Sequence, residues 1–201
     1  MGVATAHDPV VDLATVGLPL RTAELFGREA PLEVEIGSGK GRFLVEWAAQ
    51  QPHRCFLGVE RAGKYLAIAA RRAARRGVVN VRFVRTTAED LLFRCLAPAS
   101  LAGVHVYFPD PWPKKRHHKR RFFNSNNVQR LAEVLGAGGV VRVKTDHLPY
   151  GEQIAELLGG CPLLTPMPVE EAFTALPETS FEAKYLREGR AVLRLAFVRV
   201  G

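Results

Sequence analysis

Long apolar runs are missing from this 201-residue chain. No stretch approaches the ~18 consecutive apolar residues of a membrane-spanning helix, so a helical span and a membrane partner are not expected. Cysteine is scarce: Cys55, Cys95 and Cys161 are scattered, odd in number and without a CxxC pair. That speaks against a disulfide framework and against a zinc site, and no metal is expected. The first twelve residues lack a basic segment followed by an apolar core, so no secretion signal is read and a reducing, cytoplasmic setting is the expectation. Internal repeats, low-complexity tracts and linkers are absent as well, and the length predicts one domain, or one domain with a small appendage. Hydrophobic residues at 47% and charged residues at 24% suffice for a packed core and exclude disorder throughout. Lys+Arg number 28 against 20 Asp+Glu, a formal net charge of +8. So basic a domain suggests a polyanionic partner, which composition alone does not name. Nothing indicates an obligate protein partner.

From residue 31 onward, short apolar runs alternate with helical stretches. Strands are expected at 32–36, 55–59, 81–84, 104–108 and 140–143. Helices are expected at 43–51, 62–76, 88–95, 128–135 and 150–158, with Gly77 stopping the second and Gly136 and Gly138 the fourth. Five β-then-α units imply a parallel sheet with helices on both faces, doubly wound through right-handed crossovers. Residues 181–187 and 191–200 both read as strands around 188–190, a terminal antiparallel hairpin. The expected fold class is α/β: a Rossmann-like, doubly wound, seven-stranded, mostly parallel sheet closed by a C-terminal hairpin. Residues 1–30 are poorly patterned and are set apart as an N-terminal arm from a domain at 31–201.

Glu35-Ile36-Gly37-Ser38-Gly39-Lys40-Gly41 follows the first of these strands and opens a helix. Glycines there permit a tight turn and close approach of backbone to ligand. The spacing is GxGxG; position 42 is Arg42, not the glycine of the dinucleotide pattern, and no Lys-Ser/Thr completes a P-loop. Glu60 closes the second strand about 20 residues on, where an acid accepts the hydroxyls of an adenosine ribose. A plain strand-to-helix turn and a dipole-favoured helix acid remain the competing readings. Glu35 lies in the loop itself. It would repel a pyrophosphate and attract a ligand bearing an ammonium and a sulfonium, which prefers S-adenosylmethionine over NAD. Thr87, within 86–90 after the third strand, stands where adenine is usually held.

Phe108-Pro109-Asp110-Pro111-Trp112-Pro113 follows the fourth strand at the carboxyl edge of the sheet. Its three prolines forbid helix and stiffen a loop that presents one carboxylate and one indole. Next come Lys114, Lys115, Arg116, His117, His118, Lys119, Arg120 and Arg121. Removing the six Lys and Arg of this octet would take the net charge from +8 to +2, so most of the basicity is local. Its position beside Asp110 points to phosphate binding. The two histidines are expected to assist there rather than bind metal. Arg71, Arg72, Arg75 and Arg76 have helical i,i+4 spacing and either extend this footprint or form a solvated face.

At these residues the chain resembles the bacterial tRNA (guanine-N7-)-methyltransferases. The matching pieces are EIGSGKGRF (35–43), GVE (58–60), FPDPWPKKRHHKRR (108–121), KTD (144–146) and TSFE (179–182). They occur in the right order across most of the chain, and the FPDPWPK block with its basic tail is far more specific than the glycine loop. The resemblance implies methyl transfer from S-adenosylmethionine to N7 of guanine 46 in the tRNA variable loop. It implies that Glu35, Gly37, Gly39, Gly41, Glu60, Thr87 and Asp110 line the cofactor pocket and that Asp110 is the active-site acid. Lys114, Asp146, Thr179, Ser180, Phe181 and Glu182 would bind the substrate nucleotide, and Arg116, His117, His118, Lys119, Arg120 and Arg121 would meet RNA. Three rival readings exist. They are a methyltransferase acting on the exocyclic nitrogen of adenine, an NAD enzyme, and a non-catalytic RNA-binding module. The order Pro-Asp-Pro-Trp disfavours the first, and GxGxG with Glu35 the second. Titration with S-adenosylmethionine separates the third.

Overall fold

The computed structural model describes residues 8–201, which fall into two compact units, one ending at Ala97 and one beginning at Pro98. The first unit comprises β1 (Val10–Val11), α1 (Thr22–Phe26), β2 (Leu32–Ile36), α2 (Arg42–Gln50), β3 (Cys55–Val59), α3 (Gly63–Arg76), β4 (Val81–Val84) and α4 (Ala88–Asp90), the last running into a π-helical turn at Leu91–Cys95. Its strands are all parallel, in the order β1-β4-β3-β2. Every residue of β2 and of β3 is buried. Strand β2 alternates Leu32, Val34 and Ile36 with Glu33 and Glu35, so its period of two points both acids to one face. Glu33 is satisfied there by Trp47 Nε1 at 3.1 Å and Arg54 at 2.9 Å. The poorly patterned N-terminal stretch contributes β1, which pairs with β4, and buries Val11, Leu20 and Leu25.

The second unit comprises β5 (Leu101–Tyr107), a 3₁₀ turn (Lys115–Arg120), α5 (Ser125–Val134), β6 (Leu135–Thr145), α6 (Leu148–Gly159), β7 (Leu164–Pro166), α7 (Val169–Ala172), α8 (Ser180–Arg187) and β8 (Leu193–Arg199). Its order is β5-β6-β8-β7, with β5 and β6 parallel and β8 antiparallel to both of its neighbours. The strands are thus mostly parallel and antiparallel at the C-terminus, the α/β class expected, with eight strands among the described residues rather than seven.

The expected hairpin of 181–187 with 191–200 is corrected. Residues 181–187 are helical, and β8 enters between β6 and β7 instead. Local chemistry decides this. Thr179 Oγ1 accepts from Glu182 N at 3.0 Å while the Glu182 carboxylate accepts from Thr179 N at 3.4 Å, a capping box that starts a helix. The glycines after α5 do not simply end that helix: β6 already begins at Leu135. A Cβ on Gly139 would come within 3.0 Å of Leu101 O, so this glycine lets β6 run close to β5.

Gly41 shows how tightly the first unit is closed. Its φ is +67°, and a Cβ there would lie 2.7 Å from Ala69 Cβ of α3. Gly41→Ala is expected to cost about 2 kcal/mol or more, from left-handed backbone strain plus overpacking. Gly37→Ala carries the strain alone, because a Cβ there meets nothing within 4 Å. Urea midpoints of the two variants check the difference; equal losses would show that the Ala69 contact is immaterial.

Candidate active site and nucleic-acid interface

In the first unit the glycine loop rests on the end of β3. Gly37 N and Ser38 N both donate to Val59 O, at 2.9 and 3.0 Å. Gly37, Gly39 and Gly41 all have left-handed φ, and Cβ atoms at Gly37 and Gly39 would project into open space. A backbone of this shape leaves room for a ligand against the loop. Glu60, just beyond β3, ties the loop down: its Oε2 accepts from Gly39 N at 3.0 Å and its Oε1 from Ala62 N at 2.7 Å. Each oxygen retains a lone pair, so the same carboxylate can accept ligand hydroxyls. Glu35 lies on the penultimate position of β2 and is only 5% exposed. Thr87 is the N-cap of α4. Its hydroxyl accepts from Asp90 N and donates to Asp90 Oδ2, each at 3.0 Å, so its donor is committed to the cap.

In the second unit the proline turn is strained. Phe108 and Trp112 have φ of +53° and +42°, conformations that cost non-glycine residues about 1–3 kcal/mol each. Surrounding contacts hold them. Phe108 N donates to Lys144 O at 2.7 Å, and its ring meets Tyr185 and Phe181 at 5.3 and 5.9 Å. Trp112 lies against His117 at 5.8 Å and under Arg120 at 4.9 Å. Between these anchors the Asp110 side chain makes no hydrogen bond or ion pair among the described residues.

The basic octet is ordered as the 3₁₀ turn Lys115–Arg120. Side chains three apart eclipse one another in such a turn. His117 and Arg120 share the row that clasps Trp112, while Arg116 and Lys119 share an exposed one. Lys114 and Lys115 are exposed as well. Arg121 is placed otherwise than expected of an RNA contact. It is 7% exposed, donates from Nε to Pro111 O at 2.8 Å, pairs with Gln153 and packs over Tyr150 at 4.5 Å. Its guanidinium staples the turn to α6.

A cavity of about 300 Å³ is lined by Lys144, Val169, Glu170, Phe173, Leu176, Glu178, Glu182 and Arg194. At its wall the Glu182 carboxylate, 1% exposed, accepts from Lys144 Nζ at 2.6 Å and from Arg194 at 2.8 Å. Burial alone would raise the Glu182 pKa; donors from Lys144, Arg194 and the Thr179 backbone outweigh it and hold the carboxyl below its usual range. Burial pushes the Lys144 ammonium down, against the pull of Glu182. Lys144 enters the sequence analysis only as the first residue of KTD, without a role, and Arg194 not at all; the acid of TSFE offers the signal, since a buried carboxylate needs cationic donors. Asp146 is paired with Arg190, which packs over Tyr185 at 4.1 Å. Thr179 caps α8, whereas Ser180 and Phe181 face outward, Phe181 being 55% exposed. Of the residues expected to hold the nucleotide, Asp146, Thr179 and Glu182 are therefore engaged internally, and Lys114, Ser180 and Phe181 are open.

Among the described residues no group of His, Cys, Asp or Glu is arranged to hold a metal ion, and no helix is long and apolar enough to cross a membrane. The backbone resembles two solved methyltransferases. One is the 16S rRNA methyltransferase KamB, with a TM-score of 0.61 at 18% identity, covering 88% of this chain and 91% of that one. The other is the antibiotic-resistance methyltransferase Kmr, at 0.59 and 17%, covering 94% and 97%. Residues 29–195 match the family model described as "Putative methyltransferase". Fold and glycine loop together define a Rossmann-like methyltransferase. The tRNA (guanine-N(7)-)-methyltransferase of Mycobacterium avium is 42% identical over 205 residues, 99% of this chain and 76% of the relative. That of Bordetella parapertussis is 42% identical over 188 residues, 90% and 72%. The chain belongs to the tRNA (guanine-N7-)-methyltransferase family and is an enzyme of that kind.

Proposed function

We propose that this enzyme transfers a methyl group from S-adenosylmethionine to N7 of a guanine in tRNA, at position 46 of the variable loop, in the cytoplasm. The observation that carries the reading is the strained turn that holds an unpartnered carboxylate, Asp110, directly before an exposed cationic 3₁₀ turn. The cofactor fits the first unit on its own chemistry. Gly37 and Gly39 border open space, Glu60 keeps lone pairs for ribose hydroxyls, and the charge of Glu35 suits an ammonium. Glu35, Gly37, Gly39, Gly41 and Glu60 hold it, with Asp110 as a further contact. Thr87 acts there through the backbone it caps.

When bound, the cofactor supplies an electrophilic methyl on a positively charged sulfur. Guanine N7 is an acceptor with a free lone pair, so no residue has to remove a proton from it. The protein's task is placement, worth about 7–11 kcal/mol where near-attack geometry is achieved. Asp110 orients the reactants and stabilises the positive charge that grows on the purine ring. Lys114, Ser180 and Phe181 hold the nucleotide, with Phe181 offering an open ring face, on a segment that Thr179, Glu182 and Asp146 brace through their internal partners. Arg116, His117, His118, Lys119 and Arg120 contact phosphate. Because A-form duplex hides base edges in its deep groove, a splayed loop nucleotide is the accessible target.

Incubation of the protein with S-adenosylmethionine and unmodified tRNA, followed by digestion to nucleosides, should yield 7-methylguanosine mapping to position 46; a different methylated nucleoside would overturn the reading. Neutralising Lys115, Arg116 and Lys119 to Gln should flatten the dependence of log Kobs on log salt by about 0.7–0.9 for every phosphate that is no longer neutralised. An unchanged slope would place the RNA elsewhere. Arg121→Gln should instead lower stability, because that guanidinium is buried.

A further inference from the structure

A second concentration of positive charge lies in the first unit and has no part in the site described above. Helix α3, GKYLAIAARRAARR, contains no acidic residue. Its inner stripe is Leu66, Ala69 and Ala73, all buried. Arg71 and Arg75, and Arg72 and Arg76, are spaced i,i+4, so like charges stack along the helix, an arrangement that destabilises it. Arg42, the first residue of α2, joins them. Burial and then the charges of Arg42, Arg75 and Arg76 depress the Arg72 pKa, and Glu46 is the acid that opposes them. None of Arg42, Arg71, Arg72, Arg75 and Arg76 has a hydrogen bond or ion pair among the described residues. Several other arginines are engaged, Arg54 with Glu33, Arg142 with Ala172 O and Arg194 with Glu182; the side chains of Arg21 and Arg61 are unpaired too among the described residues but stand singly rather than in a cluster.

Helix electrostatics explain only part of this. Arg75 and Arg76 sit in the last turn of α3, where the dipole favours cations. Arg71 and Arg72 lie a turn earlier. Arg42 stands at the amino end of α2, where the dipole disfavours a cation. A cluster that repels itself internally becomes favourable once an external polyanion neutralises it. The guanidinium fork matches phosphate oxygens bidentately. Between Arg71 and Arg76 the other residues are Ala73, buried, and Ala74. A helix lying in a membrane surface needs an apolar face to insert, and that of α3 is already spent on the core. The cluster also borders the cofactor loop: Arg42 follows Gly41, whose Cβ position would lie 2.7 Å from Ala69.

We propose that Arg42, Arg71, Arg72, Arg75 and Arg76 form a second RNA-backbone contact that holds phosphates of the tRNA substrate independently of the 3₁₀ turn. This rests on the tRNA reading above. Contacts of this kind position the RNA without reading its sequence. They therefore act on tRNA affinity and on KM, and leave the methylated position and kcat at saturating tRNA unchanged.

The test is the quadruple variant R71Q/R72Q/R75Q/R76Q beside its R→K counterpart. Glutamine is nearly as good a helix former as arginine, and the exchange removes the repulsion, so α3 should fold. The expected result is tRNA affinity at least tenfold weaker near physiological salt. The log Kobs–log salt slope should flatten by about 0.7–0.9 for each phosphate released from the face, and the lysine variant should keep the slope of the parent. An unchanged affinity and slope in the glutamine variant would overturn the proposal. So would loss of slope in both variants, since packing rather than charge would then be responsible. Binding to phosphatidylglycerol vesicles that disappears in the glutamine variant while tRNA binding persists would assign the face to lipid instead. The parent protein's own yield of 7-methylguanosine is scored separately. Its absence would sink the proposed function, whereas a changed slope with intact parent activity speaks only to this face.

Discussion

Asp110→Ala is expected to slow 7-methylguanosine formation about 10²–10³-fold while leaving the protein as stable as before. The carboxylate makes no hydrogen bond or ion pair among the described residues, so its removal breaks no polar contact of the fold. Substitutions of this type usually shift stability by no more than about 0.5 kcal/mol. The turn around it keeps its shape through Phe108 N on Lys144 O, Arg121 on Pro111 O and Trp112 between His117 and Arg120. What is lost is an oriented negative charge facing a purine that becomes cationic. Removal of one such preorganised group typically costs about 10²–10³-fold in kcat. Asp110→Asn keeps shape and one acceptor oxygen but not charge, and should retain cofactor binding better than the alanine variant. Single-turnover methylation, isothermal titration with S-adenosylmethionine and a thermal midpoint together check this. A folded Asp110→Ala protein with near-parental turnover would remove the residue from the chemistry.

Glu182→Gln should have the opposite profile, a large loss of stability. Its carboxylate is the shared anion of Lys144 and Arg194. Gln keeps one acceptor oxygen for the capping box and Lys144, while its amide nitrogen replaces the oxygen that accepts from Arg194, so the variant removes the charge and that one acceptor. With the charge gone, the Lys144 ammonium is left buried without a counter-charge, which costs about 3–5 kcal/mol. That is a large share of the ~5–15 kcal/mol of a typical domain. Pairing Lys144→Met with Glu182→Leu should recover much of the loss, because an apolar pair of similar volume avoids desolvating two ions. Arg194 is partly exposed and can turn to water. Acid behaviour follows from the same carboxylate. The folded pKa of Glu182 lies below its unfolded value, so its contribution is complete above about pH 4.3 and disappears as pH falls through the depressed folded value. The glutamine variant should lack that segment of the acid-unfolding curve. Urea midpoints from neutral pH down through about pH 4.3 and below give the comparison; parallel curves for both proteins would show that the triad contributes no charge-dependent stability.

Strands 32–36, 55–59 and 81–84 are legible residue for residue, because each is rich in β-branched, aromatic or other apolar residues, alternating with charged ones in 32–36, over the four or five residues of a short strand. Residues 181–187 are not. Phe181 and Tyr185 lie four apart, a spacing that fits one face of a strand as well as one face of a helix. The Thr179–Glu182 capping box resolves it; the family resemblance assigns these four residues to the nucleotide and says nothing of their helix-starting role. Arg121 reads with its octet as one more phosphate contact. Nothing local distinguishes it from Arg120; its burial depends on Tyr150 and Gln153, about thirty residues away.

The sequence by itself determined the α/β alternation, the glycine loop, the family and the position of the acidic turn before a cationic run, since these reside in local spacing and residue chemistry. Tertiary structure decided which charges remain available. Asp110, Arg116 and Lys119 are left without internal partners that consume their charge, whereas Glu182, Lys144 and Arg121 are consumed inside the second unit. The reason is that a buried charge must find its partner in space, and the donors that meet Glu182 come from strands 38 residues before it and 12 after it.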